Sequence, residues 1–379
     1  MRFVHLSDTH LGYRQYGLFE REEDFYQVFE ELTTKILEEK PDFVVHSGDL
    51  FDSSRPPTTA LLTVQNCLSQ LKENKIPVYA VPGNHDTIMR RNALPPLVLY
   101  RNFGLKLISM KNPYYIHDGI FIGGMPFNSK YFAERVKNQI QNLNTKASEY
   151  DYRILVLHQG IDKYLPYEYE LKIGDLPENF NYYAMGHIHN RIIDDYGEGK
   201  LVYPGSPEIW RIDELPIYKT KGKGFYLVDT GGDQPEIQPV NLHLKRETIQ
   251  KEMEYIDLNQ QLKELKDYVL NLDKKPVVNL KISGQDFDRA HVYEKINKCL
   301  KDLCLTIRPQ YHIQHSEDEI IQSEDNLNIE DIIKKRIDNP QKSSLTLKLL
   351  DKLSHGDMEG AQEAADEFYR DFNDPDEGR

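Results

Sequence analysis

The chain has 379 residues, of which 39% are hydrophobic, so it is long enough for two or three domains around a large core. It opens on a strand pattern without a signal peptide and has no apolar run of membrane-spanning length, which excludes a membrane partner and predicts an intracellular protein, cytoplasmic if prokaryotic. The net charge is −14, but residues 316–379 hold 18 acidic and 8 basic side chains, so the remainder is near neutral and leaves a nucleic-acid partner open.

The first part of the chain predicts strands that alternate with amphipathic helices. A strand over residues 1–7 precedes a helix over 20–39, and a strand ending at His46 precedes a helix over 58–71. Further helices are predicted over 90–103, interrupted by two prolines, and over 130–143. Short strands are predicted over 105–109, 114–117, 120–124, 153–158, 182–186, 192–196, 201–204 and 224–229. This order predicts an α/β fold, a two-sheet β-sandwich flanked by helices.

Composition changes beyond this part. Turn residues near 230–236 mark the end of a first domain, predicted over 1–235. Residues 236–315 alternate strand, helix, strand, helix and strand, which predicts a small α+β domain. An acidic linker is predicted over 316–326, and a helical segment over 327–379. Apolar residues of the last helix recur every three or four positions, which favours docking on a partner.

Polar side chains follow five of the predicted strands at the point where each strand ends. The pieces are Asp8-x-His10, Gly48-Asp49, Gly83-Asn84-His85-Asp86, His158 and Gly186-His187-x-His189. Ligands bind at the carboxyl edge of open α/β sheets, so these side chains should meet. They offer enough ligands for two ions, and mixed imidazole and carboxylate donors favour Mn, Fe or Zn over Mg or Ca.

This series resembles the calcineurin-like metallophosphoesterase superfamily, whose motifs read D-x-H, G-D, G-N-H-D/E, H and G-H-x-H. The resemblance implies two ligand sets that share Asp49: Asp8, His10, Asp49 and His189 for the first ion, and Asp49, Asn84, His158 and His187 for the second. Two such ions clamp a phosphate oxygen and acidify a water. The resemblance also implies that His85 is a general acid for the leaving group.

The flanking residues resemble a narrower family, the SbcD-like DNA double-strand-break repair nucleases named after meiotic recombination eleven. The matching stretches lie within residues 1–230: 5–12, 48–56, 158–160, 186–189 and 203–206. The resemblance implies a nuclease with two Mn²⁺ (or Mg²⁺, Fe²⁺ or Zn²⁺ instead), with 3′–5′ exonuclease and single-strand endonuclease activity on DNA ends. It further implies that the second domain caps the first and contacts DNA, and that the C-terminal helices bind a coiled-coil ATPase of the structural-maintenance type.

Two alternatives to this function stay open. One is a phosphatase or nucleotide phosphodiesterase with the same metal core. The other is a scaffold that mainly tethers DNA ends.

Position 52 departs from the narrower family, several members of which carry a His there, whereas this chain has Asp52. Related phosphatases place an Asp at this position to orient the general-acid His. We therefore expect Asp52 to orient His85, with Asp86 as the alternative and a simple turn carboxylate as the other interpretation.

Two kinds of surface residue are predicted to bind partners. Candidate phosphate contacts are the basic side chains Arg14, Arg21, Arg55, Arg90 and Arg91, together with Lys219, Lys221 and Lys223. A homodimer is predicted through residues 58–71 and 91–103, which are unusually rich in leucine: Leu61, Leu62, Leu68, Leu97 and Leu99.

Overall fold

The structure is a computed structural model that describes residues 1–87, 94–232, 234–314, 333–334, 336–337, 339–354 and 357–373. By contacts the chain divides into two compact units, Met1–Thr248 and Ile249–Arg379. Within the described ranges, no helix is both long enough and apolar enough to cross a bilayer. The predicted acidic linker and the start of the predicted C-terminal segment lie outside the described residues.

The first unit contains two six-stranded sheets. One sheet has the order β12-β11-β1-β2-β3-β4, with β1 (Arg2–Leu6), β2 (Phe43–His46), β3 (Val78–Ala80), β4 (Leu105–Leu107), β11 (Gly224–Asp229) and β12 (Glu236–Asn241). The other has the order β5-β6-β7-β8-β10-β9, with β5 (Tyr114–His117), β6 (Ile120–Met125), β7 (Tyr152–His158), β8 (Tyr182–Gly186), β9 (Ile192–Tyr196) and β10 (Gly199–Tyr203). Strands β1 to β4 are parallel, as are β6, β7, β8 and β10.

Successive residues of the strands face two different cores. On β1, Phe3 points into the core between the sheets, where it stacks on Phe43, while Val4 faces the helices. The helices α1 (Phe19–Glu39) and α2 (Thr58–Glu73) cover the first sheet, and α3 (Ala133–Ala147) covers the second. A short helix, α4 (Leu215–Lys221), precedes β11. The predicted two-sheet sandwich flanked by helices is confirmed.

The predicted helix over 90–103 needs correction. Residues 88–93 lie outside the described part, and Pro96–Phe103 form a 3₁₀ helix that ends at Gly104. Pro95 and Pro96 explain its start, because proline fits the first turn and cannot continue a preceding helix.

The second unit contains a three-stranded sheet of order β13-β14-β15, with β13 (Thr248–Glu254), β14 (Val277–Gln285) and β15 (Thr306–Gln314). Helices α5 (Leu258–Val269) and α6 (Arg289–Leu300) share a buried core with it. Two further helices, α7 (Pro340–Ser354) and α8 (Met358–Asn373), pack on each other. The boundary predicted at residue 236 lies inside the first unit, because β12 pairs with β11 and extends the first sheet.

Candidate metal centre

The candidate centre lies where strands of both sheets end. Asp8 and His10 follow β1, Asp49 follows β2, and Asn84 follows β3. On the second sheet, His158 is the last residue of β7, and His187 and His189 follow β8. The two sheet edges are joined at Ser47, whose carbonyl accepts from His158 Nδ1 (2.8 Å) and whose hydroxyl donates to the Met185 carbonyl (3.0 Å). The seven predicted ligands are thereby brought together.

The first predicted ligand set forms a close cluster. His10 Nε2 lies 3.1 Å from His189 Nε2. Asp8 Oδ1 lies 3.9 Å from His189 Nε2, and Asp49 Oδ2 lies 3.8 Å from His10 Nε2. Asp8, His10 and His189 each offer a donor atom within 4.8 Å of the others, as a shared cation requires.

The second predicted set adjoins the first through Asp49. Asp49 Oδ2 lies 3.2 Å from His158 Nε2. Asn84 Oδ1 lies 3.0 Å from His158 Nε2 and 3.1 Å from His187 Nδ1. Asp49 therefore lies within reach of both sets, the position that a carboxylate shared by two ions needs.

The charges of the cluster fit two divalent cations. Asp8 and Asp49 are 0% and 2% exposed, and burying a carboxylate without compensation is costly. Among the described residues, the ion-pair partners of both carboxylates are histidines, with no Lys or Arg paired to either. At Gly83, moreover, a side-chain Cβ would collide with the Asp49 carboxylate, so glycine allows this close approach.

Four of the seven predicted ligands occupy left-handed backbone. The φ angles are 55° at Asp8, 45° at His10, 53° at Asp49 and 90° at His187. Such conformations in non-glycine residues cost about 1–3 kcal/mol each and cluster at functional sites. The fold therefore tolerates strain in order to aim these side chains.

The ionisable groups of the cluster shift one another's pKa values. Burial alone would lower the pKa of His158, but the Asp49 carboxylate raises it to about 9. Burial raises the pKa of Asp49, yet His158 outweighs this and lowers it. Burial lowers the pKa of His187 to about 4, with the His158 charge acting in the same direction. A cation that binds here must therefore displace the proton held by His158.

His85 lies beside the predicted ligands on a hydrogen-bonded turn. Its backbone N–H donates to Asp49 Oδ1 (2.9 Å), and its ring Nδ1 donates to the Asp52 carbonyl (2.7 Å). Asp52 Oδ1 lies 3.8 Å from the same Nδ1 and 3.3 Å from His10 Nδ1. Asp86 is fully buried and accepts from the backbone N–H groups of Gly83, Leu50 and Phe51, so it braces the loop instead of the His85 ring.

Two further residues of the centre escaped the sequence analysis. The Trp210 indole stacks on His10 (5.2 Å between ring centroids), and its Nε1 donates to Asp52 Oδ1 (3.3 Å). Glu214 accepts from His189 Nδ1 (2.9 Å). Both lie between β10 and α4, in a stretch whose only sequence signal was the preceding Tyr203-Pro204-Gly205-Ser206.

The basic side chains predicted to contact phosphate differ in their exposure. Arg21 is fully buried, with Asp24 at 2.8 Å and Glu208 at 3.2 Å, so its prediction as a DNA contact is wrong. Lys223 is likewise buried and pairs with Glu214 at 2.6 Å, so its prediction as a phosphate contact is also wrong. Arg14 pairs with Glu22 at 2.7 Å and stays half exposed, and Arg55, Lys219 and Lys221 are exposed. Arg90 and Arg91 lie outside the described residues.

Comparison with known proteins identifies similar sequences along most of the chain. Residues 1–191 match the family model described as calcineurin-like phosphoesterase. The DNA double-strand break repair protein Mre11 of Methanocaldococcus jannaschii is 38% identical over 339 residues, covering 88% of this chain and 87% of its own. Its namesake from Thermoplasma acidophilum is 35% identical over 305 residues, covering 78% and 80%. A dimetal phosphatase structure from Danio rerio aligns with 60% of this chain and 92% of its own, at 10% identity and a TM-score of 0.38.

Proposed function

The chain belongs to the calcineurin-like phosphoesterases and, within them, to the Mre11 family of DNA double-strand break repair proteins, and we propose that it hydrolyses phosphodiester bonds at DNA ends. It is a metal-dependent nuclease of double-strand break repair. The observation that carries this function is the convergence of the seven predicted metal-ligand side chains, with Asp49 between the two sets, beside His85.

The two ligand sets would hold two divalent ions, which when bound would polarise the phosphate and acidify an attacking water. Donors that mix imidazole nitrogen with carboxylate and amide oxygen suit Mn²⁺, Fe²⁺ or Zn²⁺, and we propose Mn²⁺ among them from the resemblance to the family. His85 supplies the proton that the leaving oxygen takes. Since its Nδ1 already donates to the Asp52 carbonyl, protonation at Nε2 completes the acid, and the same hydrogen bond fixes the ring.

Incubation with labelled linear DNA tests the proposal, with Mn²⁺ and Mg²⁺ in parallel and a chelator as control. We expect nucleotide release with Mn²⁺ and none with the chelator. A simple phosphomonoester serves as the competing substrate. Turnover of the phosphomonoester while DNA stays intact would favour a phosphatase instead.

We further propose that the C-terminal helices bind a coiled-coil ATPase. Helices α7 and α8 bury Ser343, Ala361 and Ala364 but leave Leu350 and Leu353 about half exposed. Exposed apolar side chains on paired amphipathic helices fit a helix-in-groove contact. Residues 316–379 carry a net charge of −10, which favours a basic rim on the partner.

A homodimer through α2 and the Pro96–Phe103 segment is also proposed, with a corrected set of residues. Leu68 and Leu97 are buried in the core of the subunit, and Leu61 packs against it. Leu62 on α2 and Leu99 on the Pro96–Phe103 segment are exposed by 52% and 61%, and Leu94, just before that segment, by 68%. We propose that they contribute apolar surface to an isologous interface.

The small α+β domain of the second unit is a candidate DNA-contacting domain. We propose that the predicted capping domain contacts DNA, starting at Ile249 instead of residue 236 because β12 belongs to the first sheet. An intracellular place of action, on the nucleoid if the source is prokaryotic, follows from the substrate.

A further inference from the structure

The two ligand sets differ in the groups that lie next to the outward-facing ring nitrogens of their histidines. In the first set, His189 Nδ1 donates to the Glu214 carboxylate (2.9 Å), whereas His10 Nδ1 lies 3.3 Å from the Asp52 carboxylate without the geometry of a hydrogen bond. In the second set, His158 Nδ1 donates to the Ser47 carbonyl (2.8 Å). The carboxylate nearest to the ring of His187 belongs to Glu170, at 4.0 Å, which is beyond hydrogen-bond distance.

The Glu214 carboxylate is held in one place by other donors. Lys223 Nζ (2.6 Å), Ser206 Oγ (3.1 Å) and the backbone N–H of Trp210 (3.3 Å) donate to its Oε2. The Arg211 N–H donates to its Oε1 (3.0 Å), the oxygen that also meets His189. Lys223 additionally donates to the His189 carbonyl (3.3 Å). Glu214 and Lys223 are both buried, so water competes little for these bonds.

We propose that Glu214 is a positioning residue for His189 and that, as a consequence, the first ligand set takes up its cation before the second. A carboxylate that accepts the Nδ1 proton fixes the tautomer, leaves the Nε2 lone pair for a cation and makes the imidazole a stronger ligand. The carbonyl behind His158 gives the same tautomer without a charge. This inference rests on the proposed function only in assuming a two-cation centre.

Trp210 provides a readout that needs no catalysis. It is the single tryptophan of the chain, and its ring lies 5.2 Å from that of His10 and 5.0 Å from that of His189. Mn²⁺ is titrated into the metal-free full-length protein while heat and tryptophan fluorescence are recorded. We expect two binding steps, with the fluorescence change accompanying the tighter one.

Two variants isolate the Glu214–His189 bond. Lys223→Met keeps that bond, and the double variant Glu214→Gln with Lys223→Met removes the carboxylate without leaving a buried ammonium unpaired. Supporting partners of metal ligands are typically worth about 10- to 100-fold in affinity. We therefore expect the double variant to bind the first Mn²⁺ about 10- to 100-fold more weakly than Lys223→Met, with the second step unchanged.

Glu208→Gln is the matched control, because Glu208 is a buried carboxylate of the same loop that bonds Arg21 and no predicted ligand. It should leave the tight step unchanged even if its melting temperature falls. If Lys223→Met does not fold, Glu214→Gln alone is compared with the wild type. The inference would be overturned if the tighter step had the same Mn²⁺ affinity with and without the Glu214 carboxylate. It would also be overturned if only the weaker binding step were lost. If the protein took up Mn²⁺ in the expected order but left DNA intact, the proposed nuclease function would be contradicted and the inference about Glu214 would stand.

Discussion

His85 contacts the cluster of predicted ligands but is not itself a predicted ligand. Its Nδ1 is engaged by the Asp52 carbonyl, and its ring packs edge-on against His10 at 4.7 Å, yet it belongs to neither ligand set. We expect His85→Ala to retain both ions and DNA affinity while cleavage falls about 10²- to 10⁴-fold, the usual contribution of a general acid. Elemental analysis and single-turnover cleavage measure the two quantities separately.

Asn84→Ala is the counterpart of that variant. Asn84 Oδ1 lies about 3 Å from the rings of both His158 and His187, so its removal should weaken uptake of the second ion. A His85→Ala protein that loses metal, or an Asn84→Ala protein that keeps both ions, would reverse the assigned roles.

His5 should make the stability of the fold depend on pH. It lies in the core between the Tyr182 and Ser47 hydroxyls, each 2.9 Å away, and burial, aided by the His46 charge, lowers its pKa to about 3. Because this folded value lies below the unfolded value of 6.5, the stabilisation is complete above pH 6.5 and is lost as the pH falls. One such group contributes a slope of about 1.4 kcal/mol per pH unit.

Urea unfolding of the metal-free protein between pH 6.5 and 4.5 measures this slope. His5→Gln should reduce it by up to about 1.4 kcal/mol per pH unit, since glutamine does not titrate. Equal slopes for the variant and the wild type would show that His5 is not the group responsible.

Among the elements, α2 and the neighbouring 3₁₀ helix carry the proposed dimer contact. Leu62→Glu combined with Leu99→Glu should give a monomer by light scattering, because an apolar isologous patch does not tolerate buried charge. The monomer should still cleave short DNA. Ile193→Glu is the control, since Ile193 is exposed by 46% and lies on β9, away from these elements. A mass unchanged by the double variant would leave these leucines without a partner role.

Helices α7 and α8 carry the proposed contact with the ATPase. Leu350→Glu with Leu353→Glu should abolish co-purification of the ATPase and leave nuclease activity intact, because burial of each leucine is worth about 1.5–3 kcal/mol. Phe368 is a poorer choice, since it lines the groove between α7 and α8 and its loss would disturb their packing. Leu270→Glu, at an exposed position after α5, is the control. Continued co-purification of the double variant would place the contact elsewhere.

The elements also show where sequence reasoning was sufficient. The clustering of the predicted ligands could be anticipated because each lies at or shortly after the end of an apolar strand, and parallel strands end at one edge. Glu214 and Trp210 could not, since they come from a loop whose path depends on tertiary packing. Arg21 looked like a surface cation, but Asp24 lies one turn along α1 and Glu208 is distant in sequence, so its burial emerged only with the fold. The strand β12 was missed because its side chains are only intermediate or exposed and show no regular alternation, as an edge strand allows.

For the molecule as a whole, the uneven charge leads to an expectation about DNA. Removing residues 316–379 takes away a net −10 and leaves a body of −4, so repulsion of the DNA backbone should fall. We expect the truncated protein to bind linear DNA more tightly at low salt, to keep Mn²⁺-dependent cleavage and to lose the ATPase. Fluorescence anisotropy across a salt series measures the first effect, and the difference should vanish at high salt. A truncation that weakens DNA binding would instead make the tail part of the DNA-binding surface.

The left-handed backbone at His187 places thermal stability and metal binding in competition. Glycine or asparagine adopts that conformation at lower cost and keeps the backbone N–H that donates to Asp8, so either residue should raise the melting temperature of the metal-free chain while removing a predicted ligand. A laboratory screen for heat-tolerant variants that ignores cleavage would be expected to enrich such changes. A natural homologue that no longer processes DNA would likewise be expected to have glycine or asparagine at the position of His187 and a higher melting temperature.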